Sequence, residues 1–359
     1  MWVLAMDETT YRILDTLWKE TGRPSSIREL TTKIRKSHGT AYYPNIYEKM
    51  RALAAEGTIT LTKAGRSSLA NLNFANYLLI DMLTELDLKR KRDLLVKSER
   101  LQLLFKDIEE RYENIRSIES ISAIDPERNI RLNRTELLML LNGSNPSAIQ
   151  RDTLRIHTAA RNIQARHNIK IDALILTTDD FVRFLKSDEI NPLREMLSNK
   201  ITFHSPQGFW SHISDAMAKG YRLRLLEDET NLARMSEEDL TFNLLRFGYR
   251  EIGPELREGQ RICIEYITVS ILMKGDARRI QAIPIILAKN KPNYDLLIFL
   301  AQKYRLSGRL LGLLKALERT SHSEDTAIAM RILESLGTKE IRADESDIAD
   351  KMRLYNAVG

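Results

Sequence analysis

Thr58-Ile59-Thr60-Leu61-Thr62-Lys63-Ala64-Gly65-Arg66-Ser67-Ser68-Leu69-Ala70-Asn71-Leu72 sets the architecture of the N-terminal third. Thr58 to Thr62 alternates with period two, Lys63 to Arg66 turns around Gly65, and Ser67 to Leu72 returns. That pattern predicts a β-hairpin. Three helices are predicted upstream of it. Asp7 is an N-cap residue, and Tyr11, Leu14, Leu17 and Trp18 repeat at helical spacing until Thr21-Gly22-Arg23-Pro24 stops the helix. Ser25 or Ser26 caps a second helix, and Glu29 stands three residues after Ser26, as a capping box requires. Ile27, Leu30 and Ile34 give that helix one apolar face. After Ser37-His38-Gly39-Thr40, a third helix runs from about Ala41 to Ala55, with Ile46, Met50 and Leu53 inward and Gly57 closing it.

Three helices followed by a hairpin resemble the winged helix-turn-helix DNA-binding domain. The resemblance implies that the third helix lies in the major groove of double-stranded DNA and that the hairpin touches the flanking backbone. Tyr42, Tyr43, Asn45, Lys49 and Arg51 are then the candidates on the third helix, and Lys63 and Arg66 those at the hairpin tip. Asn can read adenine bidentately, while Lys and Tyr reach phosphates. One of the adjacent Tyr42 and Tyr43 is expected to point into the core. Between Lys19 and Arg66 lie ten Lys and Arg against four Asp and Glu. That excess of six equals the net charge of the whole chain, +6 from 55 basic and 49 acidic residues, so the remainder is balanced. RNA or a protein partner would suit the same fold and residue types.

Phe74, Tyr77, Leu78, Ile80, Leu83, Leu86 and Leu88 predict a connecting helix with a broad apolar face. Such a face suits a homodimer that reads paired half-sites. Lys89-Arg90-Lys91-Arg92 follows, and reads as a solvated surface partly paired with Glu85, Asp87 and Asp93. Phosphate binding is the other reading of that run.

From about Leu101 the pattern becomes mixed α/β. Helix Leu101–Tyr112 leads into strand Ser117–Ile124, and Glu136–Leu141 forms a second strand. A helix near Ile149–His167 precedes the strand Ile169–Thr177. Asp179-Asp180-Phe181 starts another helix, which Asn191–Leu197 continues. Lys200–Phe203 is a short edge strand, and Phe209–Ile213 begins a further helix.

This order resembles the small nucleotidyltransferase domains of the polymerase β superfamily. The resemblance implies a Gly-Ser turn after the first strand, an Asp-x-Asp pair at the second and another Asp on the third. Such carboxylates converge on two Mg²⁺ ions that clamp a triphosphate and activate a hydroxyl. Here the turn aligns with Asp125-Pro126, where proline offers no N–H and the aspartate repels phosphate. The pair aligns with Arg134-Thr135-Glu136, a cation in place of the first carboxylate. Only Asp172 stands where the third belongs. The domain is therefore expected to be catalytically inactive, a scaffold or ligand sensor with no metal or cofactor. Were it active, Glu136 and Asp172 would be its carboxylates, Mg²⁺ its cofactor and an NTP its substrate. No Gly-x-Ser-x-Gly, Walker loop or dinucleotide fingerprint supplies other chemistry. Leu141-Asn142-Gly143-Ser144-Asn145-Pro146 reads as a structural turn.

The last third reads as helices: Leu240–Tyr249, Arg278–Lys289, Tyr294–Tyr304, Arg309–Arg319, Asp325–Leu336 and Glu345–Tyr355, with breaks at Gly253-Pro254, Gly259, Lys291-Pro292 and Ser307-Gly308. Ile262–Met273 is rich in β-branched residues and is taken as helix. Arg278, Arg279, Lys289, Lys291, Asn293 and Tyr294 read as solvated helix ends, a phosphate or nucleic-acid surface being the other reading.

Composition narrows the class. The chain of 359 residues is 43% hydrophobic and 29% charged, a globular balance. Cys263 is the only cysteine, which excludes an internal disulfide and any Cys-pair zinc site, and suits a reducing cytoplasm. Its flanks form no reactive-cysteine motif, so a buried bystander is expected. The six histidines form no ligand pair on one helix face. No apolar run is long enough to span a membrane. Met1-Trp2-Val3-Leu4-Ala5-Met6 has no preceding basic region, so no secretory signal is expected. The expectation is a cytoplasmic α+β protein: a winged helix (1–73), a helical connector (74–100), a degenerate nucleotidyltransferase-like domain (101–225) and a helical domain (226–359). The combination resembles archaeal proteins that pair a winged helix with such a domain. Its expected function is DNA-binding transcriptional regulation. The alternatives are an active nucleotidyltransferase and an RNA- or ribosome-associated factor.

Overall fold

Caps define the first helices. The Asp7 carboxylate accepts from the Thr10 amide at 2.9 Å and opens α1 (Glu8–Lys19). β1 (Ser25–Ser26) runs into α2 (Ile27–His38), whose capping box between Ser26 and Glu29 is complete. α3 (Tyr43–Ala55) starts two residues later than expected, with Pro44 in its first turn, where the missing N–H costs nothing. β2 (Ile59–Ala64) and β3 (Ser67–Leu72) form the expected hairpin. Gly65 turns it with a φ of +61°, which glycine adopts without strain. β1 adds to the far side of β3. Ile13, Leu30, Ile34, Ile46, Met50 and Ile59 meet in one small core.

The computed structural model describes residues 6–143, 145–221, 223–225, 230–251, 258–342 and 345–357. Met1 to Ala5, Ser144 and Gly253-Pro254 lie outside the described residues. The architecture is mixed α+β, with two small sheets and a helical C-terminal region. Among the described residues no helix is long and apolar enough to cross a membrane.

α4 (Tyr77–Lys97) and α5 (Glu99–Tyr112) lead into β4 (Ile118–Ile124). α6 (Pro126–Arg131), β5 (Arg134–Leu141), α7 (Pro146–His167), β6 (Lys170–Thr177) and α8 (Thr178–Lys186) follow. α9 (Leu193–Met196), β7 (Lys200–His204) and α10 (Pro206–Ala218) complete this part. The sheet order is β6-β5-β4-β7. β5 and β6 are parallel and the other pairs antiparallel. α7 is the crossover that a parallel pair requires. α9 does not continue α8 as expected. Pro192 disfavours helix at Asn191, and the Asn191 amide instead donates to the Phe184 and Glu189 carbonyls.

The C-terminal helices are α11 (Glu237–Arg246), α12 (Ile264–Lys274), α13 (Ala277–Ile280), α14 (Ile283–Lys289), α15 (Tyr294–Lys303), α16 (Ser307–Ser321), α17 (Glu324–Ser335) and α18 (Glu345–Leu354). α12 is buried at every residue from Ile264 to Leu272, so it has no polar face to give it a clear period. The stretch expected as one helix, Arg278–Lys289, divides into α13 and α14 because Pro284 belongs in a first turn. Ser307-Gly308 does not interrupt a helix but opens α16.

Strand alternation splits the large sheet between two cores. Leu137, Met139, Ala173 and Ile175 face α5 and α7. Leu138, Leu140, Leu174 and Leu176 face the core built from the C-terminal helices. The period of two therefore turns Glu136 and Asp172 toward those helices. The same core reaches Leu14 and Trp18 of α1.

The basic run Lys89–Arg92 is solvated only in part: Arg92 is exposed and Lys89 pairs with Asp93 at 3.3 Å as expected, but the middle of the run is not a surface. Arg90 is buried and paired with Asp15 of α1, and its guanidinium also faces Asp87 at 3.8 Å. Lys91 reaches Glu109 at 2.8 Å and the Phe203 carbonyl at 3.0 Å. Lys200 of β7 is buried against Asp87, with its ammonium 4.0 Å from the Trp210 ring centroid. Trp210 donates to Asp87 at 2.8 Å, stands edge-on to Trp18, and Trp18 donates to the Leu197 carbonyl at 2.9 Å. Part of the apolar face of α4 is spent inside the chain: Leu79, Ile80, Leu83 and Leu86 are buried, and α4 packs on α10 and β7. Tyr77, Leu78 and Leu88 of the expected set stay exposed.

Two stability tests follow from this burial. Asp87→Ala strands the Lys200 ammonium and is expected to cost about 3–5 kcal/mol in urea unfolding. A loss below about 1 kcal/mol would show that Lys200 does not depend on Asp87. His157 of α7 is buried, and burial pushes its imidazole down to about 4. The unfolded histidine titrates near about 6.5, so on acidification the unfolded chain binds the proton first. Stability is expected to fall by up to about 3 kcal/mol from pH 6.5 to 4. His157→Gln should flatten that slope, and an unchanged slope would assign it to other groups.

Candidate nucleic-acid interface and carboxylate pair

α3 presents its aromatic residues to solvent. Tyr42 is 69% exposed, Tyr43 45% and Tyr47 38%. Neither Tyr42 nor Tyr43 enters the core, contrary to the expectation that one would. Tyr42 is the extended residue before the helix, and the neighbouring Ala41 fills the inward position. Tyr43 and Tyr47 stack with ring centroids 5.9 Å apart. Arg51 continues the same i, i+4, i+8 stripe and is exposed, as is Asn45. Tyr47 was missed in the sequence, although its spacing from Tyr43 is the signal that finds it.

Lys49 does not extend outward. Its ammonium lies 2.6 Å from the Asp7 carboxylate and ties α3 to the cap of α1. Burial opposes ionisation of Asp7, yet hydrogen bonds from Lys49 and Thr10 pull its pKa down to about 2. Lys19 and Lys33 are likewise paired, with Asp15 and Glu20. Lys63 and Arg66 flank Gly65 in the hairpin and are exposed. Among the described residues, Arg51, Lys63 and Arg66 have no acidic partner.

Glu136 and Asp172 are partners in register across β5 and β6, and both are buried. The chain brings its own cations to them. Glu136 has Arg134 at 3.0 Å and Lys303 at 3.1 Å. Asp172 has Lys170 at 2.8 Å, and Lys170 also donates to the Gln302 carbonyl at 2.7 Å. Gln302 and Lys303 end α15, which packs on β6. Asp125 and Glu136 line one cavity of about 70 Å³, with Arg128, Arg134, Glu195 and Lys303. Glu195 already accepts from the Tyr266 hydroxyl at 2.9 Å and the Thr230 amide at 2.8 Å. Asp125 sits left-handed at φ 39°, followed by Pro126 in the first turn of α6. These residues do not fit a two-magnesium centre. An incoming divalent ion would have to displace an ammonium or guanidinium from each strand carboxylate. Among the described residues no group of three or more His, Cys, Asp and Glu could hold a metal ion.

Of the remaining polar candidates, Arg278 and Lys291 are exposed, and the others serve the fold. Arg279 pairs with Glu237 and Glu251, Lys289 donates to the Gly248 carbonyl, and the Asn293 side chain caps α15. Tyr294 bonds the Thr326 hydroxyl. Asn145 caps α7, so the described part of the turn after β5 is structural. Cys263 is buried, and burial pushes its thiol up. No protein-family model, curated protein or solved structure matches the chain.

Lys303→Met leaves Glu136 with Arg134 alone. It is expected to cost about 1–3 kcal/mol in urea unfolding, less than a fully stranded buried charge. No measurable loss would show that Lys303 contributes nothing at this position.

Proposed function

We propose that the chain is a nucleic-acid-binding protein, a DNA-binding transcriptional regulator. In this reading α1 to β3 form a winged helix-turn-helix that takes α3 into the major groove and the hairpin onto the adjacent backbone. The rest is a catalytically inactive nucleotidyltransferase-like domain with a helical C-terminal part, acting as scaffold or sensor. The observation that carries the reading is the outward set of Tyr43, Tyr47 and Arg51 on α3, with Lys63 and Arg66 on the hairpin. The cations of this set have no acidic partner among the described residues, so phosphate contact costs the fold no ion pair. The β4-β5-α7-β6 order, antiparallel and then parallel, supports the nucleotidyltransferase-like part. Internal neutralisation of Glu136 and Asp172 supports inactivity over the enzyme alternative.

The exposed tyrosines favour RNA as the second reading, because unpaired bases stack on aromatic rings. Duplex binding measured by fluorescence anisotropy across a salt series separates the two. Arg51→Ala/Lys63→Ala/Arg66→Ala is expected to reduce the salt slope by about 2–3, roughly 0.9 per lost phosphate contact. An unchanged slope would remove this surface from the interface. Tighter binding of single-stranded RNA than of duplex DNA would favour the second reading. Magnesium-dependent incorporation of labelled nucleotide by the wild type, lost in Asp172→Ala, would overturn inactivity.

A further inference from the structure

β6 is an edge strand, and its open edge borders a cleft of about 850 Å³. α7 forms one wall. The junction between α15 and α16 and the exit from α17 form the other. This space is distinct from the small cavity at Glu136. The end of α15 divides them, with Lys303 on the Glu136 side and Gln302 on the Asp172 side.

Two features of the cleft point to a ligand. At its base, Asp172 Oδ1 and Gln302 Oε1 are buried and accept no hydrogen bond. A buried acceptor left unpaired is costly, and a hydroxyl donor from a ligand would satisfy it. Nearer solvent stand Arg161, Arg305 and Lys339, all exposed, and among the described residues Asp172 with its Lys170 partner is the only lining carboxylate. Arg305 has no ion-pair partner among the described residues, and it is the left-handed residue (φ +60°) that closes α15, where the Leu306 amide returns to the Ala301 carbonyl at 2.7 Å. The rim therefore offers charge-assisted donors to an anion, while the base offers acceptors to hydroxyls.

We infer that this cleft binds a small phosphorylated polyol of the sugar-phosphate class. The phosphate lies among Arg161, Arg305 and Lys339, and hydroxyls donate to Asp172 Oδ1 and Gln302 Oε1. Among the described residues no Phe, Tyr or Trp lines the cleft, so they offer no platform for a nucleobase. The inference deepens the sensor reading above and rests on it for regulatory meaning alone. Binding of the small molecule is measured without nucleic acid, so either reading can fail without the other.

The test is isothermal titration calorimetry on the full chain with ribose 5-phosphate, alongside ribose, inorganic phosphate and AMP. Ribose 5-phosphate is expected to bind more tightly than ribose or phosphate, because it alone engages both ends. Arg305→Ala/Lys339→Ala alters exposed residues, keeps the fold, and should weaken binding at least about tenfold. Gln302→Ala should weaken it by a smaller factor while leaving phosphate binding unchanged. Absence of binding at millimolar ribose 5-phosphate overturns the inference. So does phosphate alone binding as tightly, AMP binding more tightly, or equal affinity in the rim variant.

Discussion

Asp15, Arg90, Asp87 and Lys200 form one buried ionic chain, and the arrangement of the whole molecule depends on it. The four residues come from α1, α4 and β7, and each carboxylate lies against a cation from another element. Taking these charges out of water is expensive, and the expense is offset only while every member keeps its partners. The aromatic faces of Phe209 and Trp210, 4.1 and 4.0 Å from the Lys200 ammonium, supply the remaining solvation. Trp18 packs against Trp210 in the same place. The N-terminal unit is thus docked on the larger sheet by paired charges and edge-on rings, which fixes where α3 and the hairpin lie relative to the rest.

What could be read from sequence divides along physical lines. Asp7, the Ser26–Glu29 box and Gly65 act through neighbours a few residues away, so they announce their structure locally. The hairpin register and the two faces of β5 and β6 follow from a period of two. Arg90 gave no such announcement. Its partner Asp15 is 75 residues away and Asp87 meets Lys200 across 113, and nothing in a four-residue basic run distinguishes a solvated face from a buried joint. Lys49 misled for the same reason, since its partner Asp7 belongs to another helix. α12 was ambiguous because burial on all sides erases the alternation that would name it.

The carboxylate pair shows how far a motif reading reaches. Aligning Glu136 and Asp172 placed them side by side, and the strand register agrees. The alignment could not show that α15 delivers Lys303 and the Gln302 carbonyl to the same spot. Once those groups are present, the pair behaves as part of the packing between sheet and helices. The same helix end also leaves Asp172 with one satisfied and one unsatisfied oxygen, so one side chain belongs to both the packing and the open cleft.

The contact from Trp18 to the Leu197 carbonyl spans 179 residues. A ribosome adding about 5–20 residues per second needs on the order of ten to thirty-five seconds to cover that distance. Throughout that interval α1 can assemble with α2, α3 and the hairpin, and Asp15 can pair with Lys19 and His38, but the indole of Trp18 has nowhere to dock. The nascent chain therefore carries an apolar patch on an already folded unit, and only the emergence of Leu197 and α10 covers it.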